Sequence, residues 1–146
     1  MSRAMPSIEI EFQVEFYDVD SMQVVWHGHY LKYFEKVRCA LLNALGYGYL
    51  EMRESGYAFP VIGVSVKYIH PLTFGEKVRA RAWLEEYENC LIISYALYNA
   101  AGKMATRGSS TQMAYDLAGN ESCLVCPDIL LEKVQAFMDG RSGESA

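Results

Sequence analysis

The segment that decides the fold of this chain is residues 17–35, with the sequence YDVDSMQVVWHGHYLKYFE. Its first half is polar and holds Asp18, Asp20 and His27, whereas its second half begins a regular apolar pattern. Polar segments between regular elements carry a large share of the binding and catalytic groups of proteins. The sequence therefore predicts a strand-to-helix junction here, with the functional site in its loop.

Residues before this segment alternate between apolar and polar side chains. A period of two places every apolar side chain on one face of an extended chain, so the pattern predicts a strand over Ile8–Phe16 with one face in solvent. The acidic and amide side chains between them are interpreted as that solvated face rather than as an acidic binding surface. The apolar members are Ile8, Ile10, Phe12, Val14 and Phe16.

Residues after the loop recur with the spacing of a helix. Apolar side chains at steps of three and four predict an amphipathic helix over Tyr30–Leu45, and Gly46 is a typical residue to end one. The apolar stripe is broad, which is typical of a helix at the centre of a domain. Its main side chains are Tyr30, Phe34, Val37, Leu41 and Leu45.

The remainder of the chain predicts four strands and a short helix that begins at Pro127. Sequential strands with tight turns form antiparallel sheets, and the long apolar helix must bury its stripe against the only large partner, the sheet. We therefore expect an α+β fold in which a curled antiparallel sheet wraps around a long central helix. The predicted strands are Val61–Ile69, Lys77–Tyr87, Leu91–Tyr98 and Lys103–Tyr115.

Length and composition limit the possible classes of protein. The chain has 146 residues and a formal net charge of -5, which predicts one domain over residues 1–146 with flexible tails at 1–7 and 140–146. No cluster of Lys and Arg indicates a nucleic-acid partner. No apolar run reaches the length of a membrane span and no export signal is visible, so we expect a cytoplasmic protein.

Among the four cysteines, Cys123 and Cys126 form a lone C-x-x-C pair. A structural zinc site needs four ligands, and no second close pair of Cys or His follows in the sequence. Without a secretory signal, disulfides are not expected either. The sequence therefore predicts no metal and no cofactor, and these thiols are interpreted as ordinary side chains near a loop.

The loop places carboxylates next to the start of the predicted helix. Backbone N–H groups at a helix start lack an intrahelical acceptor and, together with the helix dipole, stabilise negative charge. A thioester carbonyl becomes an oxyanion when it is attacked, and a carboxylate beside such donors can act as a general base or as a nucleophile. An Asp before a helix is also a common cap, so the residue pattern by itself leaves capping and catalysis open.

Residues 18–30 resemble the signature D-x-D-x-x-G-V-V-[YWH]-x-x-x-Y of the 4-hydroxybenzoyl-CoA thioesterase-like branch of hotdog-fold proteins, and the aromatic-Phe-Glu continuation follows at residues 33–35. The order of strand, long helix and four strands also matches, so the resemblance covers nearly the whole chain. It implies a hotdog fold, hydrolysis of an acyl-CoA thioester, and a homodimer or homotetramer that binds CoA between subunits. It leaves open whether CoA or an acyl carrier protein carries the acyl group.

The same resemblance implies roles for individual loop residues. The second Asp of D-x-D is the catalytic carboxylate of the family and matches Asp20. The residue seven positions later, His27, matches the position whose backbone N–H binds the thioester oxygen and whose side chain assists in many bacterial members. Asp18 matches the first Asp and is expected to shape the loop. The positions expected beside the substrate are Gln23, Val24 and His29.

Two positions depart from the family pattern. Val19 stands where Thr or Cys is common, and Gln23 stands where Gly is usual. Glycine reaches backbone angles that Gln resists. We therefore expect Gln23 to alter the loop or the acyl pocket, and to affect the choice of substrate more than the type of reaction.

Two other functions are compatible with the same fold. A hotdog hydratase or dehydratase resembles a D-x-N-P-x-H pattern, but Asp20 stands at the third position here and Gln23 stands where the His would be needed. A non-catalytic acyl-ligand binder or assembly protein is opposed only by the intact Asp20 and His27. Thiol release from acyl-CoA, hydration of enoyl-CoA and binding without turnover distinguish the three functions.

Overall fold

The computed structural model describes residues 5–144, with side chains described for 5–140. Within these residues the chain forms two antiparallel sheets and three α-helices. The elements are β1 (Ser7–Gln13), α1 (Tyr30–Ala44), α2 (Tyr49–Glu54), β2 (Tyr57–Ala58), β3 (Val61–Tyr68), β4 (Lys77–Glu86), β5 (Leu91–Tyr98), β6 (Met104–Gln112), β7 (Tyr115–Asp116), β8 (Glu121–Ser122) and α3 (Asp128–Glu144).

The main sheet has five strands in the order β1-β4-β5-β6-β3. β4, β5 and β6 follow one another through short turns, as the sequence predicts. The expectation that strands adjacent in sequence pair with each other is wrong for β3. This strand lies at the far edge of the sheet and pairs with β6, with Val66 opposite Gly108. Because β4 lies on the other side of β5 and β6, residues 69–76 must carry the chain across the sheet.

α1 packs against one face of this sheet, here called the inner face. Phe34 stacks on Tyr95 of β5 with ring centroids 4.5 Å apart. Gly108 of β6 makes room for this contact, since a Cβ there would lie 2.6 Å from the Phe34 ring. The prediction of an α+β hotdog fold is confirmed by this arrangement. The side chains of β4 that are fully buried on the inner face are Val78, Ala80, Ala82 and Leu84.

The first strand is shorter than predicted. β1 ends at Gln13, and a 3-10 turn over Phe16–Asp18 replaces the end of the predicted strand. Phe16 is predicted on the buried face but is 77% exposed. The strand alternation stops where the backbone turns, so Phe16 points outward and meets Phe74 edge-on, with ring centroids 6.3 Å apart.

Other boundaries differ in detail. Residues 47–60 hold α2 and β2, where the sequence pattern indicates only a connecting segment. The last predicted strand is divided, because β6 ends at Gln112 and β7 pairs instead with β2 in the small sheet β2-β7-β8. Gly46 ends α1 with a φ of 76, as predicted for a helix cap. Helix α3 is longer than the short helix predicted and continues to Glu144.

The predicted tails fall partly outside the described residues, at positions 1–4 and 145–146. No helix in the described part of the chain is long and apolar enough to cross a membrane. Within the same part, no group of His, Cys, Asp and Glu side chains is placed to hold a metal ion. The cysteines are free, and burial raises the pKa of the Cys126 thiol to about 12.

Candidate active site

Residues 18–26 form a short hairpin that leads into α1. Its two arms are joined by hydrogen bonds from Asp20 N to Val24 O, at 2.9 Å, and from Trp26 N to Asp18 O, at 3.0 Å. Asp20 therefore lies near the tip of the hairpin. The returning arm continues from Trp26 directly into the helical segment.

The returning arm is held against residues 69–76, which cross from β3 to β4. Val25 donates its N–H to Leu72 O at 2.8 Å, and both side chains are buried. Val24, one of the predicted substrate-binding positions, forms a bridge with Thr73 and is half-buried. The base of the hairpin is thus anchored in the core, while its tip remains accessible.

Gln23 occupies the turn at the tip. Its φ is 65, the left-handed region that glycine reaches most easily. Its N–H donates to Asp20 O at 3.0 Å, which closes the turn, and its side chain is exposed. The backbone at Gln23 therefore keeps the conformation that a glycine would adopt, although this chain lacks the glycine of the family pattern.

Only one oxygen of the Asp20 carboxylate accepts a hydrogen bond from a described residue. One oxygen, Oδ1, accepts the N–H of Met22 at 2.8 Å. No described residue donates a hydrogen bond to the other oxygen, and the residue is half-buried. One carboxylate oxygen is therefore fixed in orientation and the other can meet a water molecule or a substrate.

Asp18 differs from Asp20 in its surroundings. It is 8% exposed, and its Oδ2 accepts the hydroxyl of Tyr33 and the N–H of Glu15, each at 2.9 Å. Burial and this hydrogen bond to the carboxylate raise the pKa of the Tyr33 hydroxyl above its ordinary value of 10.0. These contacts support the expectation that Asp18 shapes the loop.

The helical segment begins with a 3-10 turn over His27–His29 that continues into α1. At the start of this helical segment the N–H groups of Trp26 and His29 donate hydrogen bonds. The N–H groups of His27 and Gly28 have no acceptor among the described residues. The first N–H groups of a helix point outward from its end and carry partial positive charge. The free N–H groups at this helix start can therefore stabilise an oxyanion.

Trp26 lies over this helix start. A Cβ at Gly28 would overlap the indole ring, so a larger residue here would require the Trp26 side chain to move. The ring centroid of Trp26 is 5.0 Å from that of His27 and 5.3 Å from that of His29. His29 is half-buried, and its Nδ1 is buried without a hydrogen-bond partner among the described residues.

Tyr68 is a site residue that the sequence pattern does not reveal. Its hydroxyl donates to the backbone O of His27 at 2.9 Å, and its ring meets Tyr30 edge-on at 5.0 Å. In the sequence Tyr68 is an alternating strand residue like its neighbours, and no local signal marks it. Its role depends on the placement of β3 beside the start of α1.

The predicted site residues thus form two groups, one at the tip of the hairpin and one at the helix start that follows it. Asp20, Gln23 and Val24 meet at the tip through backbone hydrogen bonds. His27 and His29 meet at the helix start around Trp26. No hydrogen bond among the described residues joins the Asp20 carboxylate to the imidazole of His27. The arrangement presents a carboxylate and helix-start donors as separate groups.

Comparison with known proteins identifies relatives of the chain. The family model of the thioesterase-like superfamily matches residues 14–134. The chain is 32% identical over 107 residues to YneP of Bacillus subtilis (strain 168), which carries the provisional name acyl-CoA thioesterase. That alignment covers 73% of this chain and 78% of its relative.

Two solved structures show the same fold. The DHNA-CoA thioesterase from Staphylococcus aureus is 27% identical with a TM-score of 0.77, and the match covers 92% of this chain and 94% of that one. Slr0204 from Synechocystis, a 1,4-dihydroxy-2-naphthoyl-CoA thioesterase, has a TM-score of 0.78 at 15% identity, covering 88% and 95% of the two chains. The second likeness concerns the fold alone.

Proposed function

The chain belongs to the thioesterase-like superfamily, and from this membership we propose that it hydrolyses an acyl-CoA thioester to the free acid and CoA, with Asp20 as the reacting carboxylate. The observation that carries the proposal is the partly occupied carboxylate of Asp20 on a hairpin that leads directly into the free N–H groups of a helix start. The name of the Bacillus subtilis relative supports the same reaction.

Asp20 acts on the thioester carbonyl in one of two ways. As a general base it takes a proton from water while the water oxygen adds to the carbonyl carbon. As a nucleophile its own oxygen adds, and water then cleaves the mixed anhydride. In both routes the C–S bond breaks, and the CoA thiolate leaves and takes up a proton.

The carbonyl oxygen becomes negatively charged in both routes and needs hydrogen-bond donors. We assign this role to the N–H of His27 at the helix start, where the dipole of the helical segment adds to the hydrogen bond. The Trp26 ring shields the helix start at His27 and Gly28 from water on one side. Shielding strengthens the interaction between the donor and the oxyanion, because the local dielectric constant falls.

The remaining predicted site residues contact the substrate in this proposal. Gln23 projects from the tip, Val24 provides an apolar wall, and His29 lies beneath Trp26 with an unpaired Nδ1. The acyl carrier is CoA, and an acyl carrier protein is an alternative that the same assay can include.

The working unit in this proposal is a dimer or a dimer of dimers with the site beside the subunit boundary. β3 is an edge strand, and exposed edges pair readily with another chain. Tyr68 of this strand contacts the carbonyl of His27, so an interface along β3 would adjoin the helix start. A symmetric dimer would use the same strand of both copies. Exposed apolar residues of β3 are Val61, Ile62, Val64 and Tyr68.

Free-thiol release from a panel of acyl-CoAs tests the reaction. In Asp20→Asn we expect kcat to fall by about a hundredfold to ten-thousandfold, the usual range for a general acid or base. Asp128→Asn, an exposed carboxylate at the start of α3, is the matched control and should keep full activity. A folded Asp20→Asn protein with most of its activity would refute the mechanism. Hydration of enoyl-CoA without thiol release would instead support a hydratase.

A further inference from the structure

One hydrogen bond joins the edge strand of the main sheet to the start of the helical segment. Tyr68, the last residue of β3, donates its hydroxyl proton to the backbone O of His27 at 2.9 Å. The carboxylate of Asp20 takes no part in this contact, because its one described donor is the N–H of Met22. The Tyr68 hydroxyl therefore acts on the backbone of the helix start and not on the reacting carboxylate.

The carbonyl that Tyr68 contacts belongs to the same peptide group as the N–H of Gly28. A trans peptide is planar, and its C=O and N–H point in opposite directions. The N–H of Gly28 has no acceptor among the described residues. When Tyr68 holds the carbonyl of His27 towards β3, it therefore also sets the direction of a free donor, which points away from β3.

The local backbone fixes this peptide group only weakly. Glycine restricts its backbone torsions less than any other residue, so the side chain at position 28 gives no such constraint. The turn over His27–His29 is closed by a hydrogen bond from His29 N to Trp26 O at 2.9 Å, which uses neither polar group of the peptide between His27 and Gly28. The Tyr68 hydroxyl supplies a constraint from outside the turn.

Tyr68 is itself held in place by the core. Its ring meets the ring of Tyr30 edge-on, with centroids 5.0 Å apart, and Tyr30 is only 3% exposed. Its backbone lies opposite the fully buried Thr106 of β6. Tyr30 is the first residue of α1, so Tyr68 contacts the helix start at two points, with its ring and with its hydroxyl. The hydroxyl therefore has a defined position relative to His27.

We propose that Tyr68 is a positioning residue of the oxyanion site, an inference that rests on the thioesterase function proposed above. It orients the peptide between His27 and Gly28 so that the Gly28 N–H joins the N–H of His27 as a second donor to the oxyanion. A hydrogen bond accepted by a peptide carbonyl also polarises the peptide and strengthens the N–H as a donor. Tyr68 thus acts on the reaction through the backbone, without touching the substrate.

The substitution Tyr68→Phe tests the proposal, because it keeps the ring against Tyr30 and removes only the hydroxyl. The oxyanion forms only in the transition state, so kcat for thiol release should fall while KM stays within about twofold of wild type. Loss of a whole oxyanion donor costs about a hundredfold to a thousandfold in kcat. We expect a smaller loss in Tyr68→Phe, of about fivefold to fiftyfold, since the Gly28 N–H is misdirected but still present.

Tyr47→Phe is the matched control for a purely structural effect. Tyr47 is fully buried just beyond the opposite end of α1, and its hydroxyl shares a hydrogen bond with Ser55 at 2.7 Å. This variant also loses one hydrogen-bonded hydroxyl, so it should unfold at lower urea concentration than wild type but keep its kcat. A Tyr68→Phe protein that is destabilised but keeps the wild-type kcat, or that changes in KM alone, would overturn the proposal.

Infrared spectroscopy of a bound carbonyl tests the same geometry without turnover. The probe is the ketone analogue of acetyl-CoA, labelled with heavy carbon at the carbonyl, in which a methylene group replaces the sulfur so that no thiol can leave. Hydrogen bonds to a carbonyl oxygen lower its stretching frequency. The frequency of the bound probe should be higher in Tyr68→Phe than in wild type, and unchanged in Tyr47→Phe. Equal frequencies in Tyr68→Phe and wild type, or a probe that does not bind, would overturn the proposal.

Together the two measurements separate the role of Tyr68 from the proposed reaction. A raised frequency in Tyr68→Phe, combined with full thiol release by Asp20→Asn, would support the positioning role and refute the reaction through Asp20. Thiol release that depends on Asp20, combined with an unchanged frequency and kcat in Tyr68→Phe, would refute the positioning role and leave the reaction in place.

Discussion

The hydroxyl of Tyr33 on α1 donates a hydrogen bond of 2.9 Å to the buried carboxylate of Asp18 on the hairpin. The same oxygen accepts the N–H of Glu15, so one carboxylate ties the end of β1, the hairpin and the helix together. Asp20 lies two residues further on. Its position relative to the helix start therefore depends on a contact that involves neither reacting group.

Tyr33→Phe should loosen this connection. The substitution keeps the ring in the core but removes one of two donors to a buried carboxylate, which costs about 1–3 kcal/mol of unfolding free energy. We expect a moderate loss of kcat, smaller than in Asp20→Asn. Urea unfolding and thiol release measure the two effects. Tyr17→Phe is the control, because Tyr17 is exposed; equal stability of the two variants would contradict the role of Asp18 as an anchor.

Gln23→Gly should stabilise the protein relative to Gln23→Ala. Both variants lose the amide side chain, but only glycine adopts a φ of 65 without strain. Left-handed conformations of other residues cost about 1–3 kcal/mol, and part of the gain is lost to the greater freedom of glycine in the unfolded chain. Thermal unfolding of the two variants measures the difference. A less stable glycine variant would show that the turn is not strained.

His27→Ala separates the backbone of His27 from its side chain. If the N–H is the oxyanion donor, the variant keeps that donor and retains measurable activity. If the imidazole carries a proton, the loss is large and the pH–rate profile loses the corresponding step. Profiles of wild type, His27→Ala and His29→Ala provide the comparison. An unchanged rate and profile in His27→Ala would remove this side chain from the mechanism.

Val64→Lys should weaken self-association. The added charge faces the inner side of the β3 edge, and burying an unpaired ammonium group in an interface is unfavourable. We expect light scattering to show that the variant dissociates at protein concentrations at which the wild type is still associated. Activity should be lost in parallel. Gln13→Lys places the same charge on β1, the opposite edge strand. A fully active wild-type monomer at every concentration would contradict the dimer.

Alkaline pH should destabilise the protein in part through Cys126. Burial raises the pKa of this thiol from an ordinary value of 9.0 to about 12. The stability that the buried neutral thiol contributes is complete below pH 9 and is lost as the pH rises towards 12, because only the unfolded chain releases the thiol proton in that range. The free energy of unfolding falls by at most about 1.4 kcal/mol per pH unit from this cause. Cys126→Ala should lack this slope, whereas the control Cys39→Ala, at an exposed thiol, should keep it.

Local patterns in the sequence determined several elements of the site. The alternation of residues 8–16 and the helical spacing after Tyr30 predict β1 and α1, because side-chain periodicity follows directly from backbone geometry. The D-x-D stretch locates Asp18 and Asp20 on the loop between them. At Gln23 the sequence predicts an altered loop or acyl pocket, whereas the φ of 65 lies in the left-handed region that a glycine at this position of the family pattern reaches most easily.

Other features were decided only by the tertiary structure. Phe16 continues the alternation in sequence but is exposed, since the backbone turns before it. Tyr68 reaches His27 across 41 positions of sequence only because β3 lies beside β6 at the far edge of the sheet. Periodicity specifies which face of an element is apolar, but the element that covers this face is selected by packing of the whole chain.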